Sequence, residues 1–266
     1  DISQNTALGT LICSYNQLTT LDLRNGNNTV MSFNATNNPS LSCISVDDAA
    51  WSAANWTNID PASSFGITCS SESGYTYVPD DNFEQTLIQR GYDDYLDDYV
   101  LTSSIDTLTT LSISTINISD LTGIEDFIAL TTLSCYNLNL TTLDVSQNTA
   151  LTYLDFHGNN LTSLDLSQNT ALVDLRCDNN NLTSLDVSHN TALAYLNCSY
   201  NSLTSLDLSQ NTALGSLICS YNQLTTLDLS QNTGLHRLWG QHNQLTTIDL
   251  TNNPNLDYIW LQNNQL

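Results

Sequence analysis

Five aspartates, Asp165, Asp186, Asp207, Asp228 and Asp249, follow one another at intervals of 21 residues. Set side by side about 5 Å apart, such carboxylates repel by roughly 1 kcal/mol per pair in water-like surroundings. A bridging calcium ion would relieve that repulsion. Flanking Ser and Thr hydroxyls with solvent are the simpler answer. The run GYDDYLDDY, residues 91–99, is a second grouping of acids that calcium would suit. Cysteines recur at the same spacing: Cys177, Cys198 and Cys219, with Cys13 and Cys135 at the equivalent place. A row of thiolates would serve a metal or redox site. Small inward thiols that fill a core are the alternative. Phe156, Gly240 and Leu261 occupy that place in other coils, which favours packing. No metal site is assigned, and calcium is the one cofactor the residues suggest at all.

Catalysis finds little to work with. The chain has no phosphate-binding glycine loop, no HExxH and no CxxC. Its histidines, His157, His189, His236 and His242, fall at unrelated places in the repeat. The expectation is a protein without enzymatic activity, whose chemistry is recognition.

Position comes from a repeat. Leu140, Leu161, Leu182, Leu203, Leu224, Leu245 and Leu266 stand 21 residues apart without a slip. Asn159, Asn180, Asn201, Asn222, Asn243 and Asn264 form one asparagine register. Asn148, Asn169, Asn190, Asn211, Asn232 and Asn253 form another. Each coil therefore holds two leucine phrases and has two sides, each able to lay a short strand beside its neighbour. Leucines point inward, and each asparagine turns the chain. The result is a solenoid whose coils bury their core against adjacent coils.

Side chains flanking the inward leucines point outward. On the LDL side they are nearly constant, as in Ser163, Asp165, Ser167 and Ser184, Asp186, Ser188. On the other side they change in every coil, from Tyr153, Asp155, His157 through to Tyr258, Trp260, Gln262. Tyr195, Ile218, Arg237, Trp239, Tyr258 and Trp260 fall in consecutive coils there and are expected to merge into one exposed aromatic stripe, the candidate ligand-binding site. Unconstrained surface is the plainer reading of the same variability.

At these residues the chain resembles a known family. The stretch LVDLRCDNNNLTSLDVSHNTA, residues 172–192, is similar to a leucine-rich repeat. Its nested form resembles the short bacterial subclass of 21-residue repeats called IRREKO. The resemblance covers residues 1–46 and about 105–266. It implies a right-handed leucine-rich-repeat solenoid, mainly β, with short parallel strands on two faces and short helical caps. It also implies ligand binding through the strand side carrying LxxLxLxxNxL, which is the variable side here.

Periodicity fails between about residues 47 and 104, which divides the chain. Residues 1–46 read as the end of one repeat array, and 47–73 as a C-terminal-type cap closed by Trp51, Trp56 and Phe65. Cys43 and Cys69 are placed to staple that cap with a disulfide, worth about 3 kcal/mol for so long a loop. Residues 74–104 read as an N-terminal-type cap: Asp80 or Asp81 starts a short helix, Phe83, Leu87 and Ile88 face the core, and Gly91 ends it. Residues 105–266 form the second array. Asp1 opens inside one repeat and Leu266 closes inside another, so the chain reads as a segment of something longer: either two repeat domains joined at about residue 73, or a unit cut or permuted from a start near Tyr75. The phase between its two ends would let one copy stack head to tail on the next.

Charge narrows the partners. The chain has 27 acidic and 4 basic residues, all four of them arginine, for a net charge of −23. Such a surface repels phosphate backbones and anionic membranes, and no stretch approaches the roughly 20 apolar residues of a membrane span. Nucleic acid and membrane insertion are therefore excluded as expectations. The reading is a secreted or cell-surface binding and adhesion module for a protein or carbohydrate ligand. The rival reading is a structural unit that self-associates into an extracellular stalk or filament.

Overall fold

The computed structural model describes residues 5, 7–26, 32–41, 43–66, 74–114 and 117–266. The chain divides into two compact units, Asp1–Tyr75 and Thr76–Leu266.

In the first unit, β1 (Thr10–Ile12) pairs in parallel with β2 (Ser32–Asn34), Leu11 opposite Phe33. On the other phrase, β3 (Cys43–Ser45) pairs with β4 (Ser64–Gly66), and Ser45 bridges Asp22. Helix α1 (Ala49–Asn55) begins where the Asp48 side chain accepts the Trp51 amide at 2.9 Å. Trp56 and Phe65 then gather on Phe33, with Phe33–Trp56 centroids 4.9 Å apart, and Trp51 packs edge-on against Trp56. These rings pack against Leu23, Leu41, Ile44 and Val46. Cys43 is disulfide-bonded. Cys69, its expected partner, lies outside the described residues.

The boundary falls within β5 (Tyr75–Tyr77), and the second unit continues with α2 (Asp81–Gln89) and β6 (Tyr99–Leu101). Asp80 is the N-cap: its Oδ1 accepts the amides of Asn82 and Phe83 at 3.0 and 3.1 Å. Phe83 and Leu87 are fully buried. Ile88 is only half-buried, and Glu84 takes the inward place instead. Gly91, at φ +76°, closes the helix by donating to Ile88. At Gly123 the backbone sits at φ +101°, and an added Cβ would come within 2.6 Å of the Tyr77 carbonyl. Only glycine fits there.

Eight parallel strands follow in simple order: β7 (Thr110–Ile113), β8 (Thr132–Cys135), β9 (Tyr153–Asp155), β10 (Asp174–Arg176), β11 (Tyr195–Asn197), β12 (Ser216–Ile218), β13 (Arg237–Trp239) and β14 (Tyr258–Trp260). From β9 onward, register advances one 21-residue coil at a time, as in Leu175↔Leu196 and Leu196↔Leu217. The leucines form one continuous buried core, with Cys135, Cys177, Cys198 and Cys219 at 0 % exposure among them.

Two faces of strands were expected, and in this unit only the variable phrase forms them. The LDL phrase forms a turn-like run in which each aspartate takes the amide two residues ahead. Ser167 donates to Asp165 at 2.8 Å, and Ser188 to Asp186 at 2.9 Å.

The asparagine registers join coil to coil. Asn180 Oδ1 accepts the Leu161 amide at 3.0 Å while its Nδ2 donates to the Phe156 and Cys177 carbonyls. Asn190 donates to the Leu166 and Asn169 carbonyls, but its buried Oδ1 has no hydrogen-bond partner in the protein.

Candidate ligand-binding face

Strands β9 to β14 set the outward residues in columns, one residue per coil. Tyr195, Ser216, Arg237 and Tyr258 share the first column. Asn197, Ile218, Trp239 and Trp260 share the next. The expected single stripe is therefore divided, because the first and third residues of a strand stand two positions apart on the same side. Trp239 and Trp260 stack at 4.6 Å with their planes 8° apart. The Arg237 guanidinium lies over Trp239 and Tyr258, at 5.9 and 5.5 Å from the ring centroids.

Ile218 corrects the sequence reading. It is 8 % exposed rather than standing out, since its short side chain sits in register between Asn197 and the much taller Trp239. It forms part of a floor with Ser199, Ser216 and Ser220, all buried. Over this floor opens a cleft of about 400 Å³, whose walls include Asp178, Tyr195, Tyr200, Tyr221, Arg237 and Gln241.

A third column escaped the sequence reading. Tyr200, Tyr221 and His242 stack ring on ring at 4.2 and 4.1 Å. They stand just after the strands, at φ +52°, +54° and +55°. Strand alternation does not predict their direction, because the left-handed turn re-aims the side chain. Asn179 and Asn263 hold the same turn with a residue type suited to it. Placing tyrosine there costs about 1 kcal/mol per residue and adds no core burial. The signal was the residue immediately before the asparagine register.

The electrostatics of the face are uneven. Arg176 is held between Tyr153 and Tyr195, at 5.2 and 5.1 Å, and pairs with Asp174 at 3.1 Å. The Asp174 carboxylate pushes its pKa up. Asp178 is raised above the ordinary carboxylate range by burial, even though Asn197 and Asn179 each donate to it at 2.8 Å. Arg237 forms no ion pair among the described residues, and its buried Nε has no acceptor. Ser199 Oγ, Trp239 Nε1 and Gln241 Oε1 in the same cleft are also without hydrogen-bond partners. The cleft carries more polar capacity than the protein itself uses.

Other candidate chemistry does not assemble. His157 holds Asp155 at 2.6 Å on β9, while Ser216 Oγ and His236 Nε2 lie 3.4 Å apart at β12. Three strand spacings, roughly 14 Å, separate these pairs, so they do not combine into a serine–histidine–carboxylate triad. The ladder thiols are pushed up by burial, Cys219 to about 12 and Cys198 well above its ordinary value. They are packed thiols rather than thiolate ligands. On the LDL side, the backbone amides and hydroxyls of Ser209 and Ser230 hold Asp207 and Asp228 below the usual carboxylate range. Those hydrogen bonds stabilise the anions without a metal.

No protein-family model matches the chain. It is similar to the functional domain of internalin J from Listeria monocytogenes, which includes a cysteine ladder. That likeness is 38 % identical with a TM-score of 0.58 and covers 73 % of this chain and 49 % of that one. Internalin C2 of Listeria monocytogenes strain 4b F2365 shares the fold: 20 % identity, TM-score 0.55, 72 % of this chain and all of that one. In sequence, 127 residues are 36 % identical to Internalin J of serotype 4b (strain F2365), covering 45 % of this chain and 14 % of that protein. The chain thus spans half or less of the internalin J sequences it matches. The fold is the leucine-rich-repeat solenoid, and these likenesses support a bacterial leucine-rich-repeat protein. No described helix is long and apolar enough to cross a membrane.

Proposed function

We propose that this chain is a secreted or surface-held bacterial binding module, of the short nested 21-residue repeat type, that captures a protein ligand through the variable face of β11 to β14. The observation that carries the reading is the cleft between the Trp239–Trp260 stack and the Tyr200–Tyr221–His242 stack, with Arg237 unpaired beside it. In a chain of net charge −23, an arginine without a carboxylate is a group reserved for contact. Aromatic rings and arginine are the side chains that most often dominate binding energy. Likeness to internalin J supports a role in surface interaction, and the disulfide at Cys43 supports an oxidising compartment. Within this reading, residues 47–73 and 74–104 cap two arrays, and Cys43 pairs with Cys69.

The test is an array of purified extracellular proteins and glycans probed with the wild-type chain, Arg237→Gln and Tyr221→Ser. Both variants should lose a shared set of protein ligands while keeping the wild-type melting temperature. Signal that persists in both variants would reject this face, and a set made of glycans alone would change the ligand class to carbohydrate.

A further inference from the structure

Glu84 sits in the first turn of α2 with no solvent exposure. Its Oε1 accepts the backbone amides of Asp97 and Tyr99, at 2.8 and 3.2 Å. The loop after the helix is thus folded down onto this carboxylate. Its other oxygen, Oε2, is buried and has no hydrogen-bond partner in the protein. Asp81 lies one helical turn earlier, and Asp98 lies at the end of the loop, just before β6. One oxygen from each of Asp81, Glu84 and Asp98 lies within 4.8 Å of the other two.

Among the described residues, neither Asp81 nor Glu84 is in an ion pair. Arg90, the arginine of the same segment, is turned to the Ser112 carbonyl. Burial pushes the Glu84 carboxyl up, and the charges of Asp93 and Asp97 push it further. An uncompensated buried carboxylate is expensive unless it is paired, coordinated or protonated.

We propose that Asp81, Glu84 and Asp98 bind one calcium ion that clamps the first turn of α2 to the strand β6. The donors are all oxygens, which selects a hard cation over zinc or copper. Calcium holds its ligands at about 2.3–2.6 Å, so two oxygens on one ion stand at most roughly 5 Å apart. The observed spread satisfies that limit with the side chains where they are. Magnesium, at about 2.0–2.1 Å, demands near-ideal octahedral directions. The loop, with Asp98 at φ +68°, offers irregular directions of the kind calcium accepts.

The full chain, titrated with CaCl2 and separately with MgCl2, tests this by calorimetry and thermal melting. One calcium should bind per chain, and a hundredfold excess over Kd should raise the melting temperature by about 5–10 °C, with magnesium doing less. Glu84→Gln keeps an oxygen for the Asp97 and Tyr99 amides, so it should fold and lose the calcium response. Asp98→Asn provides the same reading should Glu84→Gln fail to fold. Asp207→Ala with Asp228→Ala should respond as the wild type does, which separates this site from the aspartate ladder. Absence of heat and of any melting shift up to about 10 mM calcium would overturn the proposal, as would undiminished binding by Glu84→Gln. An infrared band of protonated glutamic acid at neutral pH, lost in Glu84→Gln and indifferent to calcium, would assign the orphan oxygen a shared proton instead.

Discussion

Trp239 and Trp260 are register partners on neighbouring strands, and their rings lie 4.6 Å apart and nearly parallel. Parallel strands are spaced by about 4.8 Å, which is also a favourable distance between stacked rings. Two coils thus build one flat aromatic plate, with Arg237 packed over the Trp239 edge of it. Trp260 is 47 % exposed, so removing it disturbs little of the core. Trp260→Ala should weaken ligand capture by at least about 10-fold, roughly 1.4 kcal/mol or more, while the melting temperature barely moves. Asp207→Ala with Asp228→Ala, on the opposite phrase, should leave capture intact. Surface plasmon resonance with a ligand drawn from the array decides it, and equal affinity for Trp260→Ala would remove the plate from the binding site.

The two asparagine registers should differ in strength. Asn180→Ala would orphan the buried Leu161 amide, while the Phe156 and Cys177 carbonyls keep the side-chain amides of Asn159 and Asn201. Asn190→Ala orphans no backbone group, since the Leu166 and Asn169 carbonyls keep the amides of Asn169 and Leu172, and it removes an oxygen that has no donor. Losing a buried partner costs about 1–3 kcal/mol. Asn180→Ala is expected near the top of that range and Asn190→Ala near the bottom. Urea denaturation of the two variants side by side measures the order, and a larger loss for Asn190→Ala would contradict it.

The repeat was legible because every coil poses the same packing problem. Leu175, Leu196 and Leu217 recur at one spacing, and the structure pairs them in that register. The helix cap at Asp80 was legible for a local reason, since an aspartate before an apolar turn has its own amides to bind. The face was legible only in part. Strand alternation found Trp239 and Trp260 but treated Ile218 as their equal, because alternation gives direction and not height. Tyr200, Tyr221 and His242 were missed because a left-handed turn breaks the alternation. Glu84 was missed because a charged side chain on a helix reads as solvated until the loop that covers it is seen. The LDL strands were expected from the leucines alone, and in the second unit that phrase instead carries local aspartate turns.

Gly123 is the least replaceable glycine in the opening of the second unit. Its φ of +101° strains any other residue, and a Cβ would press within 2.6 Å of the Tyr77 carbonyl, a backbone atom that has no rotamer to yield. Gly123→Ala should destabilise by about 2–4 kcal/mol. Gly234→Ala, with nothing within 4 Å of the added carbon and no left-handed backbone, is the control and should change stability little. Comparable melting curves for the two variants would mean that the Gly123 turn relaxes at no cost.

The buried cysteine row makes stability fall on the alkaline side. In the unfolded chain a thiol ionises near pH 8.5. In the folded chain burial pushes Cys219 up to about 12, and Cys135, Cys177 and Cys198 are also raised. Below about pH 8.5 both states keep their protons, and these residues give stability no slope. Above it the unfolded state releases protons that the folded state retains, so stability drops as pH rises, by up to about 1.4 kcal/mol per pH unit for each thiol. Burial raises Tyr153 and Tyr195 above the ordinary phenol value of about 10, so the interval between about pH 8.5 and 10 belongs mainly to the thiols. Urea midpoints at pH 8, 9 and 10 should therefore decline in the wild type. Cys177→Ala with Cys198→Ala should start lower, from lost packing, and decline less steeply. Iodoacetamide at pH 8 should label Cys13, which is half-buried, before any of the four row cysteines. An unchanged slope in the double variant, together with rapid labelling of Cys198, would show that the thiols reach water and that the core between the coils is open.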